Sequence, residues 1–281
     1  MGWTLTDNLD SYLAAAGEFL RSRPVQHTVH LSVAETLRAR GSSAFGETPP
    51  LFGWWNPPGG EVSAALLQTP PLPLLLTGLP EGSAQALAEA IKAGGTRLPG
   101  VNASAGDAAA FAAAWTGVTG GSATEFRHDR LYRLARLEPP EPGPPGAARV
   151  ADHGDRDLLE SWFTAFAEEI GEMPARRGAV DERLSYGGLT LWEEDGAAVS
   201  LAGLNRRCAG TVRVGPVYTP PELRRRGYAG AVTAAVSQAA LDGGADDVVL
   251  FTDVANPASN LVYQRLGYRP VEDRVVLTFS G

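Results

Sequence analysis

Between Val217 and Gly230 the sequence runs Val-Tyr-Thr-Pro-Pro-Glu-Leu-Arg-Arg-Arg-Gly-Tyr-Ala-Gly: an apolar stretch, a proline turn, three consecutive arginines, then small residues opening a helical pattern. That order of residue types suits an anion. Gly227, Ala229 and Gly230 let backbone N–H groups come close to a phosphate. A helix beginning there also aims its unpaired N–H groups and the positive end of its dipole at the same spot. Charge-assisted hydrogen bonds contribute about 1.5–3 kcal/mol each, against roughly 0.3–1 kcal/mol for the dipole, so direct N–H contacts dominate the expected binding. Residues 203–230 hold Arg206, Arg207, Arg213, Arg224, Arg225 and Arg226 against the single Glu222, a local +5 in a chain of net charge -8. The pattern has no Gly-Lys-Ser/Thr ending and no Gly-x-Gly-x-x-Gly, which excludes a nucleotide triphosphatase loop and a dinucleotide fingerprint. Taken alone, Arg-Arg-Arg-Gly also reads as a solvated basic turn at a helix start.

A second motif follows: Asn256-Pro-Ala-Ser259-Asn-Leu-Val-Tyr263-Gln-Arg-Leu-Gly267-Tyr268. Arg224-x-x-Gly227-x-Ala229 after a strand and before a helix, followed by this asparagine-to-tyrosine-to-glycine spacing, resembles the GNAT superfamily of acyl-CoA N-acyltransferases over about residues 147–281. The resemblance implies acetyl-CoA as the acyl donor, lying between the Thr211–Thr219 and Val248–Thr252 strands, with no metal. It implies that backbone groups of Val217, Tyr218 and Thr219 meet the pantetheine arm. Arg224, Arg225, Arg226, Gly227, Tyr228, Ala229 and Gly230 would surround the pyrophosphate, and Asn256 and Ser259 would contact the cofactor. It further implies direct attack by the primary amine of a small molecule, with Tyr263 as general acid and no covalent enzyme intermediate. A phenol of ordinary pKa near ~10 is protonated at neutral pH and can hand a proton to a departing thiolate; a core aromatic is the plainer role for Tyr263.

The general base is open among Glu168, Glu169, Glu194 and Asp253. Asp253 ends a strand beside the cofactor motif and joins Tyr263 as a catalytic candidate, although an aspartate there also serves as a turn cap. Cys208, with no histidine near it in sequence, reads as a buried or edge thiol and not a nucleophile. His27 and His30 stand at i,i+3 spacing without a third ligand and read as structural or surface residues.

Period and punctuation define the elements that must hold these residues. The run Glu138-Pro-Pro-Glu-Pro-Gly-Pro-Pro-Gly146 favours an extended spacer and places a boundary between residues 1–137 and 147–281. In the second half, apolar residues at helical spacing predict a helix at Asp155–Ile170, a hairpin of Leu189–Glu193 and Ala198–Leu204, and a strand Thr211–Thr219. Pro216 removes a ladder donor, so that last strand should be bulged or splayed there. Helix Tyr228–Leu241, a buried strand Val248–Thr252, a short helix Pro257–Leu266 and a final strand Val275–Phe279 complete it. The first half predicts helices at Leu9–Phe19, Ala84–Lys92 and Ala108–Trp115, and strands at Leu51–Trp55 and Val62–Gln68. Thr69-Pro70-Pro71 and Thr219-Pro220-Pro221, 150 positions apart, suggest an internal duplication. The expected fold is therefore α/β with a mixed α+β sheet: two tandem GNAT-like domains, the first degenerate, because Leu72-Pro73-Leu74 carries neither arginines nor glycines.

Length and composition agree. A chain of 281 residues accommodates two domains, and 44% apolar with 20% charged residues is ordinary for a folded globular protein. One cysteine forbids an intramolecular disulfide and fits a cytoplasmic setting. Net charge -8 opposes nucleic acid as a partner, and the most apolar run, Pro70–Leu79, is too short and proline-rich for a membrane span. Three alternatives stay open. One is a tandem transferase of the mycothiol-synthase type, another uses an aminoacyl or carrier-protein donor, and the third is a non-catalytic CoA-binding sensor.

Overall fold

The computed structural model of the chain describes residues 2–171, 176 and 178–281. Short 3-10 turns apart, they run through one succession of elements twice. The first pass is β1 (Gly2–Thr6), α1 (Leu9–Ser22), α2 (Thr28–Arg40), β2 (Leu51–Asn56), β3 (Ala64–Gln68), β4 (Leu74–Leu76), α3 (Ser83–Ala93), β5 (Gly100–Ser104), α4 (Ala105–Thr119) and β6 (Ser122–Leu134). The second is β7 (Ala147–Val150), α5 (Arg156–Glu169), α6 (Ala179–Leu184), β8 (Leu189–Glu194), β9 (Ala197–Leu204), β10 (Thr211–Tyr218), α7 (Tyr228–Asp242), β11 (Asp247–Asp253), α8 (Pro257–Arg265) and β12 (Tyr268–Ser280). The duplication thus holds at the level of elements. The Thr-Pro-Pro echo is not its trace: Thr69-Pro70-Pro71 turns between β3 and β4, whereas Thr219-Pro220-Pro221 follows β10. The counterpart of residues 219–227 in the first pass is residues 77–82, between β4 and α3.

Two compact units result, one of residues 2–131, 253–255 and 271–281, the other of residues 132–252 and 256–270. The C-terminal segment packs in unit 1 because β12 pairs antiparallel with β5 from Arg274↔Ser104 to Thr278↔Gly100; the strand also starts earlier than the expected Val275–Phe279, at Tyr268. The proline spacer, residues 138–146, belongs to unit 2, where Trp192 Nε1 donates to Pro145 O at 2.8 Å.

In unit 1 the strand order is β1-β2-β3-β4-β5-β12-β6, with β4 and β5 parallel. Every residue of β3 is buried, as a strand covered on both faces must be. Leu66, Leu74, Leu76, Leu87, Ile91 and Phe111 form the core that α3 and α4 close. The helix α2 carries little apolar periodicity and was not expected; its His27 and His30 are both buried.

In unit 2 the order is β7-β8-β9-β10-β11, and the end of β6 adjoins β11, where Arg133 pairs with Asp247. Each face of this sheet has its own core. Val212, Val214, Val232, Val236, Leu250 and Tyr263 pack on the α7 side. Leu159, Trp162, Phe163, Leu189, Leu201 and Tyr218 pack beneath α5 and α6.

Candidate active site

The central feature of unit 2 is where strand pairing stops. β10 and β11 run parallel from Thr211↔Asp247 to Val214↔Leu250, and the described register goes no further. The other edge of β10 stays paired with β9, but its register shifts between Val214↔Leu204 and Val217↔Ala202. This is the interruption expected at Pro216, which has no N–H to donate. One extra residue also flips the side-chain alternation: Val212, Val214 and Val217 pack towards α7, while Tyr218 turns to α5. The β11-facing edge of residues 215–218 has no ladder partner in the described register, so its backbone groups can pair with an extended ligand.

The turn that follows is built to a fixed shape. Arg224 Nε donates to Thr219 O at 2.9 Å, and its Nη2 donates to the Glu169 carboxylate of α5 at 2.5 Å. The same guanidinium lies 5.9 Å from the Tyr218 ring centroid. Arg224 therefore anchors the turn. Arg225, at φ +63°, and Arg226 are exposed and follow it directly. Gly227 opens α7 at φ +89°, a left-handed conformation that a side chain would strain. No side chain caps α7. Asn8, Ser104 and Asn256 cap α1, α4 and α8, whereas α3, like α7, opens on a left-handed glycine, Gly82, with no side-chain cap. The first N–H groups of α7 are thus the unsatisfied donors of a helix start, next to two exposed guanidinium groups.

Each remaining candidate has its own local partners. Tyr228 donates to the Glu194 carboxylate, and that hydrogen bond raises the phenol's pKa. Asn256 Oδ1 accepts from Ser259 N at 3.0 Å, so both residues serve the start of α8. Asn260 and Gln264 on α8 bind the Tyr132 hydroxyl at 2.9 and 3.0 Å and fix that helix against the end of β6. Tyr263 is 9% exposed, lies 6.2 Å from the Tyr268 ring, and has its pKa pushed up to about 12 by burial. Asp253 accepts from Ala255 N at 2.7 Å, closing the turn after β11, and groups with unit 1. Among the other carboxylates, Glu169 and Glu194 are engaged as described and Glu168 is exposed. Sequence reasoning missed Ser200, fully buried on β9, which donates to Tyr218 O at 3.0 Å and accepts from Thr219 Oγ1 at 2.8 Å. A lone serine inside an apolar strand gives no sequence signal, yet it fixes the end of β10.

Unit 1 repeats this framework and fills it. β4 pairs in parallel with β5 at Leu74↔Val101 and Leu75↔Asn102. Immediately beyond, Arg274 donates to Leu76 O and Asn102 O, each at 3.0 Å. Leu79 N, in the turn before α3, is taken by Asp107 Oδ1 at 3.0 Å. No arginine stands in residues 77–82.

This geometry defines a class of protein: tandem mixed α/β units, one with a parallel strand pair opening beside a bare helix start. Residues 197–277 match the family model described as FR47-like protein. Solved structures agree on the fold. A GCN5-related N-acetyltransferase from Sphaerobacter thermophilus is 19% identical, with 98% of this chain and 94% of that one covered at a TM-score of 0.62. A GNAT-family acetyltransferase from Colwellia psychrerythraea is 13% identical, with 99% of each chain covered at 0.61. A tandem GNAT protein from the clavulanic acid biosynthesis pathway is 15% identical, with 99% of this chain and 98% of that one covered at 0.56. No curated protein matches the chain. The chain has the GNAT fold, carried as two tandem units.

Proposed function

We propose that unit 2 is an N-acyltransferase that takes its acyl group, acetyl in the simplest case, from acyl-CoA and passes it to a small-molecule amine. The observation that carries this reading is the end of β10/β11 pairing at Val214↔Leu250, just ahead of the uncapped, glycine-opened start of α7. The residues present fit such a co-substrate. The freed edge of Val217, Tyr218 and Thr219 offers backbone groups to an amide-bearing arm. Arg225, Arg226 and the N–H groups of Gly227, Tyr228, Ala229 and Gly230 suit a diphosphate, and Arg224 holds that turn in shape. Asn256 and Ser259 shape the start of α8 beside the opening.

Acyl-CoA, when bound, supplies a thioester whose carbonyl is open to direct attack by the amine. The backbone donors of β10 polarise that carbonyl oxygen, as preorganised N–H groups do where negative charge develops. Tyr263 holds a proton on Oη throughout the neutral range and delivers it to the departing sulfur. Glu168, exposed on α5, takes the amine's proton directly or through a water chain. Incubation with acetyl-CoA and pooled amines, following free thiol by absorbance and the product by mass, tests this directly. Amine-dependent thiol release with an acylated product supports the reading. CoA binding without release over a broad amine panel would instead mark the protein as a sensor.

A further inference from the structure

Unit 1 holds a cavity of about 740 Å³, within the range of roughly 300–1,000 Å³ that takes drug-sized ligands. It lies at the end of the sheet where β3 and β12 finish and β5 and β6 begin, with residues from the last turns of α3 and α4 in its walls. That is the opposite end of the strands from Leu76, where Arg274 fills the slot after β4. Phe279 N donates to Pro99 O at 2.9 Å, which ties β12 to the loop forming one wall.

The walls combine flat apolar surface with charge of one sign. The Trp115 and Phe279 rings stand 6.0 Å apart, tilted by 34°, and Pro70 and Pro71 line the cavity with them. A planar ring entering here meets the offset and tilted contacts that aromatic groups prefer. Lys92 and Arg97 also line the cavity, and no aspartate or glutamate does, in a chain whose acidic residues outnumber its basic ones by 32 to 24. Both cations are exposed, so neither needs an anion for the fold; their effect is on what can enter. Lys92 donates to Val118 O at the end of α4, which orients its ammonium and leaves two N–H groups over. Arg97 makes no hydrogen bond or ion pair among the described residues, so its whole fork is available. Two positive groups beside a low-dielectric wall draw an anion, and the planar fork of an arginine matches a carboxylate with two parallel hydrogen bonds.

We propose that this cavity binds an aromatic carboxylate, with the ring against Trp115 and Phe279 and the carboxylate at Arg97 beside Lys92. The site belongs to unit 1 alone and does not depend on the acyltransferase reading of unit 2.

Calorimetry on the full chain tests it with three probes: 2-naphthoate, its neutral analogue 2-naphthamide, and cyclohexanecarboxylate, which has the charge without the flat ring. The proposal expects 2-naphthoate to bind about tenfold or more tighter than either of the others. Arg97→Glu, at an exposed position without partners, should keep Tm, abolish the advantage over 2-naphthamide and leave 2-naphthamide binding unchanged. Saturating coenzyme A should not displace 2-naphthoate from wild type. Absence of 2-naphthoate binding, equal binding of the charged and neutral probes, an advantage that survives Arg97→Glu, or displacement by coenzyme A overturns the proposal. Coenzyme A that fails to bind wild type would count against the reading of unit 2 and leave the 2-naphthoate result to stand by itself.

Discussion

The guanidinium of Arg274, on the last strand, lies 3.0 Å from the carbonyl oxygen of Leu76, at the end of β4. Through further bonds to Asn102 O and Oδ1 it ties β4 to β5 where unit 2 leaves the equivalent strands unpaired. The two units therefore share a framework but not a slot. Calorimetry should find one coenzyme A per chain, and a stoichiometry of two would contradict this assignment. Arg274→Ala should cost about 2–5 kcal/mol in urea unfolding, since it strips two carbonyl groups of a charged donor. A loss under about 0.5 kcal/mol, the range of an ordinary surface change, would contradict it.

Arg224 acts through the shape of the turn. Arg224→Ala removes the bond to Thr219 O and the pair with Glu169, so the KM for acetyl-CoA should rise severalfold while kcat changes little. The Glu169 pair is largely exposed, and such pairs are worth about 0–1 kcal/mol. Glu169→Gln should accordingly change KM by no more than about fivefold and leave the pH profile alone. A lost acidic limb in that variant would make Glu169 the base.

Tyr263 combines a buried ring with a pKa of about 12. Because burial raises the value, the phenol stays protonated as pH rises through neutrality, and it contributes no fall in kcat between pH 6 and 9. Tyr263→Phe should lower kcat by up to ~10²–10⁴, the range of general acid catalysis, with Tm nearly unchanged. Full kcat in that variant across the same pH range would remove the acid role.

His27 and His30 make unit 1 acid-sensitive. Burial lowers both pKa values from 6.5, with Arg274 adding to the effect. The folded state then binds fewer protons than the unfolded chain, and stability is lost as pH falls below 6.5, at up to about 1.4 kcal/mol per pH unit for each histidine. Urea midpoints measured from pH 7.5 to 5 should show this slope, and His30→Gln should flatten it. A midpoint independent of pH would contradict the assignment.

Unit 2 is legible in sequence because its signals are local. Val248–Thr252 is a continuous apolar run and forms the interior of β11. Asp195 and Gly196, at φ +52° and +79°, make the tight turn that Glu-Asp-Gly suggests between β8 and β9. Pro216 announces the register shift that opens the site. Illegible features depend on distant partners. Arg274 meets Leu76 across 198 positions and Asn102 across 172, so neither the length of β12 nor its place in unit 1 can be read from its own residues. Glu169 and Arg224 are 55 positions apart and look like two ordinary surface charges. The buried α2 has too weak an apolar stripe to stand out, and tertiary packing decides it.

The most direct test of the whole account is a calorimetric titration of coenzyme A into the wild-type chain and into Arg225→Glu. The account predicts a single binding event for wild type and at least a tenfold weaker Kd for the variant, with unchanged thermal stability. No heat with wild type, or an identical Kd for the two proteins, would contradict the placement of the diphosphate at the start of α7.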